Sequence, residues 1–166
     1  MSALSRELLR AIRVQYALPW RGLHGVAHWT RVRETGLRLA ARTGADAAVV
    51  ELFAVLHDAR RRNEGDDPGH GGRGADLAVT FRGTLIHLSD AAFTLLHVAC
   101  ADHTKGAIQA DITIQTCWDA DRLALGRVGI VPDPARLCTA AAREPAMRAW
   151  AYERSLRADG GGESFD

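Results

Sequence analysis

Apolar residues recur along this chain at helical spacing, and no stretch alternates as a strand would. Leu4, Leu8, Ile12 and Tyr16 lie four apart and predict a first helix that stops before Pro19. A second helix is expected from about His24 to Arg42, ending at Gly44. Asp46 is a suitable N-cap for a third helix, whose positions Val49, Val50, Leu52, Phe53, Val55 and Leu56 leave little polar face. That helix should be central, and its last turn carries His57 and Asp58.

Residues 60–74 (RRRNEGDDPGHGGRG) are dense in glycine and charge and predict a long loop, with helix resuming over about 75–81. Ser89 caps a further helix through Phe93, Leu96, His97 and Cys100 that ends near His103. The stretch 108–115 reads as a connection, followed by a helix over about 116–125. Pro132 and Pro134 interrupt the chain before a short helix at about 134–142 and a last one from Pro145 to Leu156. The expectation is an all-α fold, a single compact helical bundle over 1–158, with a disordered tail at 159–166 (DGGGESFD).

Composition narrows the class without naming a function. The chain has 166 residues, 47% hydrophobic and 25% charged, with a net charge of +1. Such a balance gives no strong field toward nucleic acid or membrane. No apolar run approaches the ~20 residues of a membrane span. The opening MSALSRELLRAIRVQY alternates charge with leucine, unlike a secretory signal. Cys100, Cys117 and Cys138 form neither an even set nor a CxxC pair, so buried thiols and a cytoplasmic location are expected.

The chemistry concentrates in the seven histidines: His24, His28, His57, His70, His87, His97 and His103. A lone histidine on a helix is usually structural. The doublet His57-Asp58 differs because it ends an apolar helix, where a buried carboxylate needs compensation and a cation can supply it. Imidazole with carboxylate suits Zn, Mn, Fe, Co or Ni better than Ca.

The order of His28 in HWTRV, the His57-Asp58 doublet and Asp121 in DADRL resembles the HD-domain metal-dependent phosphohydrolase superfamily over about residues 20–130. The resemblance implies an HD-type helical bundle in which His28, His57, Asp58 and Asp121 share one metal. His70 in HGGRGA and His103 in DHTKG are similar to the added histidines of dinuclear members, which implies a second metal with Asp58 between the two. The Gly-Tyr-Pro portion of the HD-GYP motif is missing, so cyclic-dinucleotide hydrolysis is not implied. Arg61 stands where many relatives carry lysine.

The resemblance implies an enzyme: a phosphohydrolase using one or two divalent ions (Fe, Mn, Mg, Co, Ni or Zn) on a nucleotide or other small phosphate ester. Its nucleophile would be a metal-bound hydroxide. Asp58, Arg61 and Lys105 are the candidate catalytic residues, with Arg73, Lys105 and Arg122 as candidate substrate-binding cations. His24, one turn before His28, could support it or replace it as a ligand; Asp119 and Asp121 diverge on a helix, so only one should bind the metal directly. Two alternatives use the same residues: a mixed-valence diiron oxygenase, and a degenerate nucleotide-sensing module. The expected partner is a small phosphorylated substrate, without membrane or specific nucleic-acid binding; a homodimer is compatible with the apolar stripes of the terminal helices.

Overall fold

A computed structural model describes residues 1–157. Among these residues, eight α-helices make up the bundle: α1 (Arg6–Gln15), α2 (Val26–Thr43), α3 (Ala47–Leu56), α4 (His70–Phe81), α5 (Asp90–Asp102), α6 (Ile112–Arg122), α7 (Ala140–Arg143) and α8 (Pro145–Ser155). Short 3-10 turns at Leu125–Val128 and Pro134–Arg136 lie between α6 and α7. Among the described residues the only strand-like pairing is an isolated bridge between Arg82 and Ile86. Among the described residues no helix is long and apolar enough to cross a membrane. The tail 159–166 lies outside the described residues.

α3 is the axis of the bundle. Every residue from Val49 to Leu56 is buried, and the helix packs against α2, α4, α5 and α6. Asp46 starts it by accepting from the amides of Ala48 and Val49. Its only charged side chain, Glu51, is buried against Ser2, the Ala3 amide and Arg33, which pins the N-terminal segment to the core. α7 and α8 contribute a second apolar cluster in which Leu137, Ala142, Met147 and Ala151 surround Leu39 and Leu123.

Several boundaries differ from the sequence-based expectation; the helix expected at about 134–142 is a 3-10 turn at Pro134–Arg136 followed by the short α7 at Ala140–Arg143. α2 begins at Val26, leaving His24 in the preceding turn. α6 begins at Ile112, because Asp111 caps it and Thr113, Ile114 and Thr116 are buried. α4 begins at His70, so HGGRG is helix rather than loop. Glycine disfavours helix on its own, but here the missing side chains permit contact. A Cβ on Gly71 would lie 2.5 Å from the Cys100 carbonyl of α5, and one on Gly74 would strike the Leu56 carbonyl of α3. Gly69, at φ +84°, makes the left-handed turn that admits the helix.

Candidate metal centre

His57 and Asp58 follow directly on α3, still within its apolar surroundings, at 0% and 3% exposure. The other donors arrive from four helices. His28 comes from the first turn of α2, Asp121 from the last turn of α6, and His70 and His103 from the start of α4 and the end of α5.

The contacts divide around Asp58. Its Oδ2 lies 3.6 Å from both His28 Nε2 and His57 Nε2, which are themselves 3.1 Å apart. Asp121 Oδ1 joins this set at 3.2 Å from His28 and 3.6 Å from His57. The other oxygen, Oδ1, lies 3.0 Å from His70 Nε2 and 3.8 Å from His103 Nε2, and those two nitrogens are 3.0 Å apart. His28, His57 and Asp58 form one group able to hold a metal ion, and Asp58, His70 and His103 form another. Ligands ~2.0–2.2 Å from one ion lie roughly 2.8–3.6 Å from each other at tetrahedral or octahedral angles. All but the 3.8 Å edge fall in that range.

Ring orientation is fixed from behind. His57 Nδ1 donates to the Phe53 and Ala54 carbonyls, His70 Nδ1 to Asp67 O at 2.7 Å, and His103 Nδ1 to Cys100 O at 2.8 Å. Each bond places the proton on Nδ1 and turns the Nε2 lone pair toward the cluster. Two Nε2 atoms facing one another at 3.0 Å need a positive charge between them, and the buried carboxylate of Asp58 needs one beside it. The donor set therefore fits divalent cations. His28 Nδ1 is buried with no hydrogen-bond partner among the described residues.

The electrostatics agree. Burial pushes His28 down to about 3, so it remains neutral, as a ligand must. Burial also opposes ionisation of Asp58 and Asp121, but the surrounding imidazoles outweigh it and hold both carboxyls well below their usual range. For His57, burial is outweighed by the Asp58 and Asp121 charges, which raise its pKa; these carboxylates demand a cationic neighbour.

The candidate cations occupy different positions. Arg61 is buried beside Asp58 Oδ1 at 3.7 Å and against the His70 ring, while its other nitrogens hold the carbonyls of Asn63 and Gly65. Arg73 binds Asp67 at 2.5 Å and the Arg60 carbonyl, which engages it inside the protein. Arg122 donates to Arg136 O, Cys138 Sγ and Ala107 O. Lys105 is exposed and pairs with Asp102 at 2.7 Å. His24 pairs with Glu64 across a very short contact and stands 6.4 Å, ring to ring, from His28. Asp119 points away from the cluster and accepts from Cys138 N, Thr139 N and Thr139 Oγ1 at 2.7–2.8 Å. His97 is half-buried and His87 exposed, and neither belongs to a metal-holding group.

Three contributors carry no metal-ligand signature in the sequence. Asp67 is the hub of the 57–69 segment: it holds Arg62 N, Arg73 and, through its carbonyl, His70. Its only cue is the Asp-Pro-Gly turn before α4. Glu64 has no cue beyond lying in a charged loop. Tyr16 packs edge-on against Trp20 and Trp29, and burial together with the negative Glu64 and Asp58 raises its pKa. Its hydroxyl is buried without a hydrogen-bond partner among the described residues.

No protein-family model, curated protein or solved structure matches the chain.

Proposed function

We propose that this protein is a metal-dependent phosphohydrolase of HD-domain type, acting on a nucleotide or another small phosphate ester. One observation carries the reading: the two oxygens of Asp58 face two separate groups of imidazole nitrogens, His28 with His57 and His70 with His103. A carboxylate so placed is suited to bridging two cations. In this reading Asp121 completes the first set.

Bound divalent cations would supply Lewis acidity toward a phosphoryl oxygen and would acidify water at neutral pH. The chain's own residues do the rest. The carbonyls of Phe53, Asp67 and Cys100 keep the imidazoles in the ligating tautomer. Arg61 holds the loop after α3 beside Asp58, and its charge would offset negative charge accumulating on a phosphoryl group. Lys105 would add positive charge at the rim. Arg73 and Arg122, engaged internally, would shape the site instead of gripping substrate. His24 and Glu64 would form a polar wall next to His28.

The test is metal analysis of purified protein together with phosphate release from nucleotides, sugar phosphates and phosphodiesters, with Mn or Mg and without oxygen. The expected result is up to two metals per chain and turnover of at least one ester class. Protein that binds metal but only consumes oxygen with iron would reassign the centre to oxygenase chemistry. Protein that binds no divalent metal would defeat the proposal.

A further inference from the structure

A chamber of about 610 Å³ opens beside His103. Organic ligands occupy pockets of roughly 300–1,000 Å³, so the space suits a group of nucleoside size. Its floor includes buried Pro132 and Leu137, and its wall carries Ile130 and Val131, which are 51% and 66% exposed. Adjacent large aliphatic side chains held open to water beside a site lose free energy that a ligand covering them would recover.

The charges here are divided in role. Arg122 uses its guanidinium to tie Ala107, Arg136 and Cys138 together, which frames the chamber. Arg136 is exposed at the same wall, and its side chain has no hydrogen-bond or ion-pair partner among the described residues. Asp133, the acidic group nearby, caps the Ala135 amide.

We infer that this chamber receives the organic part of the substrate, a phosphate ester of an aromatic or nucleoside alcohol. Its flat face would lie on Ile130 and Val131, with the phosphoryl end toward His103 and Arg136 beside an acceptor group of the ester. The inference rests on the phosphohydrolase reading for the reaction, and on the chamber alone for the ligand. A glycerol or sugar phosphate fits less well, because its hydroxyls would face hydrocarbon and leave the two aliphatic side chains wet.

Calorimetric titration tests this with metal-loaded wild type, Ile130→Asp, Val131→Asp and Arg136→Gln. The ligands are adenosine monophosphate, naphthyl phosphate, glycerol phosphate and inorganic phosphate, with adenosine alone titrated into metal-free protein. Positions 130 and 131 are exposed, so both charge substitutions should fold. The aromatic esters should bind about tenfold or more tighter than glycerol phosphate, and either aspartate should erase about that factor, the effect of uncovering some ~50–60 Å² of apolar contact. Inorganic phosphate should bind all proteins alike, and Arg136→Gln should weaken adenosine monophosphate severalfold. Equal affinity for aromatic and glycerol esters, or no effect of either aspartate, would overturn the inference. Adenosine binding to metal-free protein that disappears in Val131→Asp would support the chamber even if no ester were hydrolysed, a result that would count against phosphohydrolysis alone.

Discussion

His70 Nε2 lies 3.0 Å from His103 Nε2, and each ring donates its Nδ1 proton to a backbone carbonyl three residues earlier in the chain, Asp67 and Cys100. Two imidazoles thus held present lone pairs to each other in a buried site. A cation between them removes the conflict, and Asp58 Oδ1 at 3.0 Å from His70 is the neighbouring anionic donor.

His70→Ala and His103→Ala should each lower the metal content from two toward one per chain. Asp58→Ala should reduce it toward zero, because Asp58 faces both groups. Elemental analysis after dialysis reads this directly. A wild type that saturates at one metal would defeat the two-metal assignment and leave the set of His28, His57, Asp58 and Asp121 standing.

Chelation should destabilise the fold. Metal that binds only the native state adds about 2.7 kcal/mol when its free concentration is a hundredfold above Kd. Thermal melting with and without a chelator should therefore show a drop of several degrees, reversed by Mn or Zn. Unchanged melting in wild type, alongside a chelator-insensitive Asp58→Ala protein, would count against a metal centre.

Gly71→Ala should damage the second group selectively. The new methyl would lie 2.5 Å from Cys100 O and 3.0 Å from His103 Nδ1, so α5 and the His103 ring must shift. A stability loss of about 1–3 kcal/mol is expected from such overpacking. One metal should be lost more readily than the other, as titration with a competing chelator would reveal.

Asp119 and Asp121 should separate in function although two residues apart. Asp119→Ala strands the buried amides of Cys138 and Thr139 and should cost about 3 kcal/mol while metal content is retained. Asp121→Ala should do the reverse, weakening metal binding with a smaller effect on denaturant stability of the metal-free protein. Identical phenotypes would show that Asp121 is not a ligand.

Stability should fall in acid partly through Glu51. Burial opposes its ionisation, but the Ala3 amide, Arg33 and Ser2 outweigh that and lower its pKa in the folded protein. A depressed folded pKa means that the unfolded chain takes up the proton first as pH falls. The Glu51 contribution is therefore complete above the unfolded carboxyl range, near ~4.3, and is lost as pH drops through the folded value. Glu51→Gln should flatten the acid limb of a denaturation–pH curve, and an unchanged slope would remove this cause.

Helical periodicity and the Asp46 and Ser89 caps were sufficient to place α1, α3, α5 and α8 to within a residue or two, because local hydrogen bonding and the pattern of apolar positions, one-sided in α1 and continuous in α3, set these elements. The His57-Asp58 doublet could likewise be singled out from its apolar helix alone. Other features depended on contacts between distant segments. Gly71 and Gly74 are poor helix formers, and only their close approach to α5 and α3 makes HGGRG the first turn of α4 and brings His70 beside His103. Arg73 and Arg122 resemble free cations in sequence, but Asp67 and the Ala107, Arg136 and Cys138 groups engage them. Glu64, Asp67 and the chamber wall at Ile130 and Val131 left no periodic or spacing signal, since their roles arise from partners far along the chain. Residue type and spacing determined which side chains could ligate a metal; tertiary packing decided that Asp58 turns one oxygen to each group of histidines.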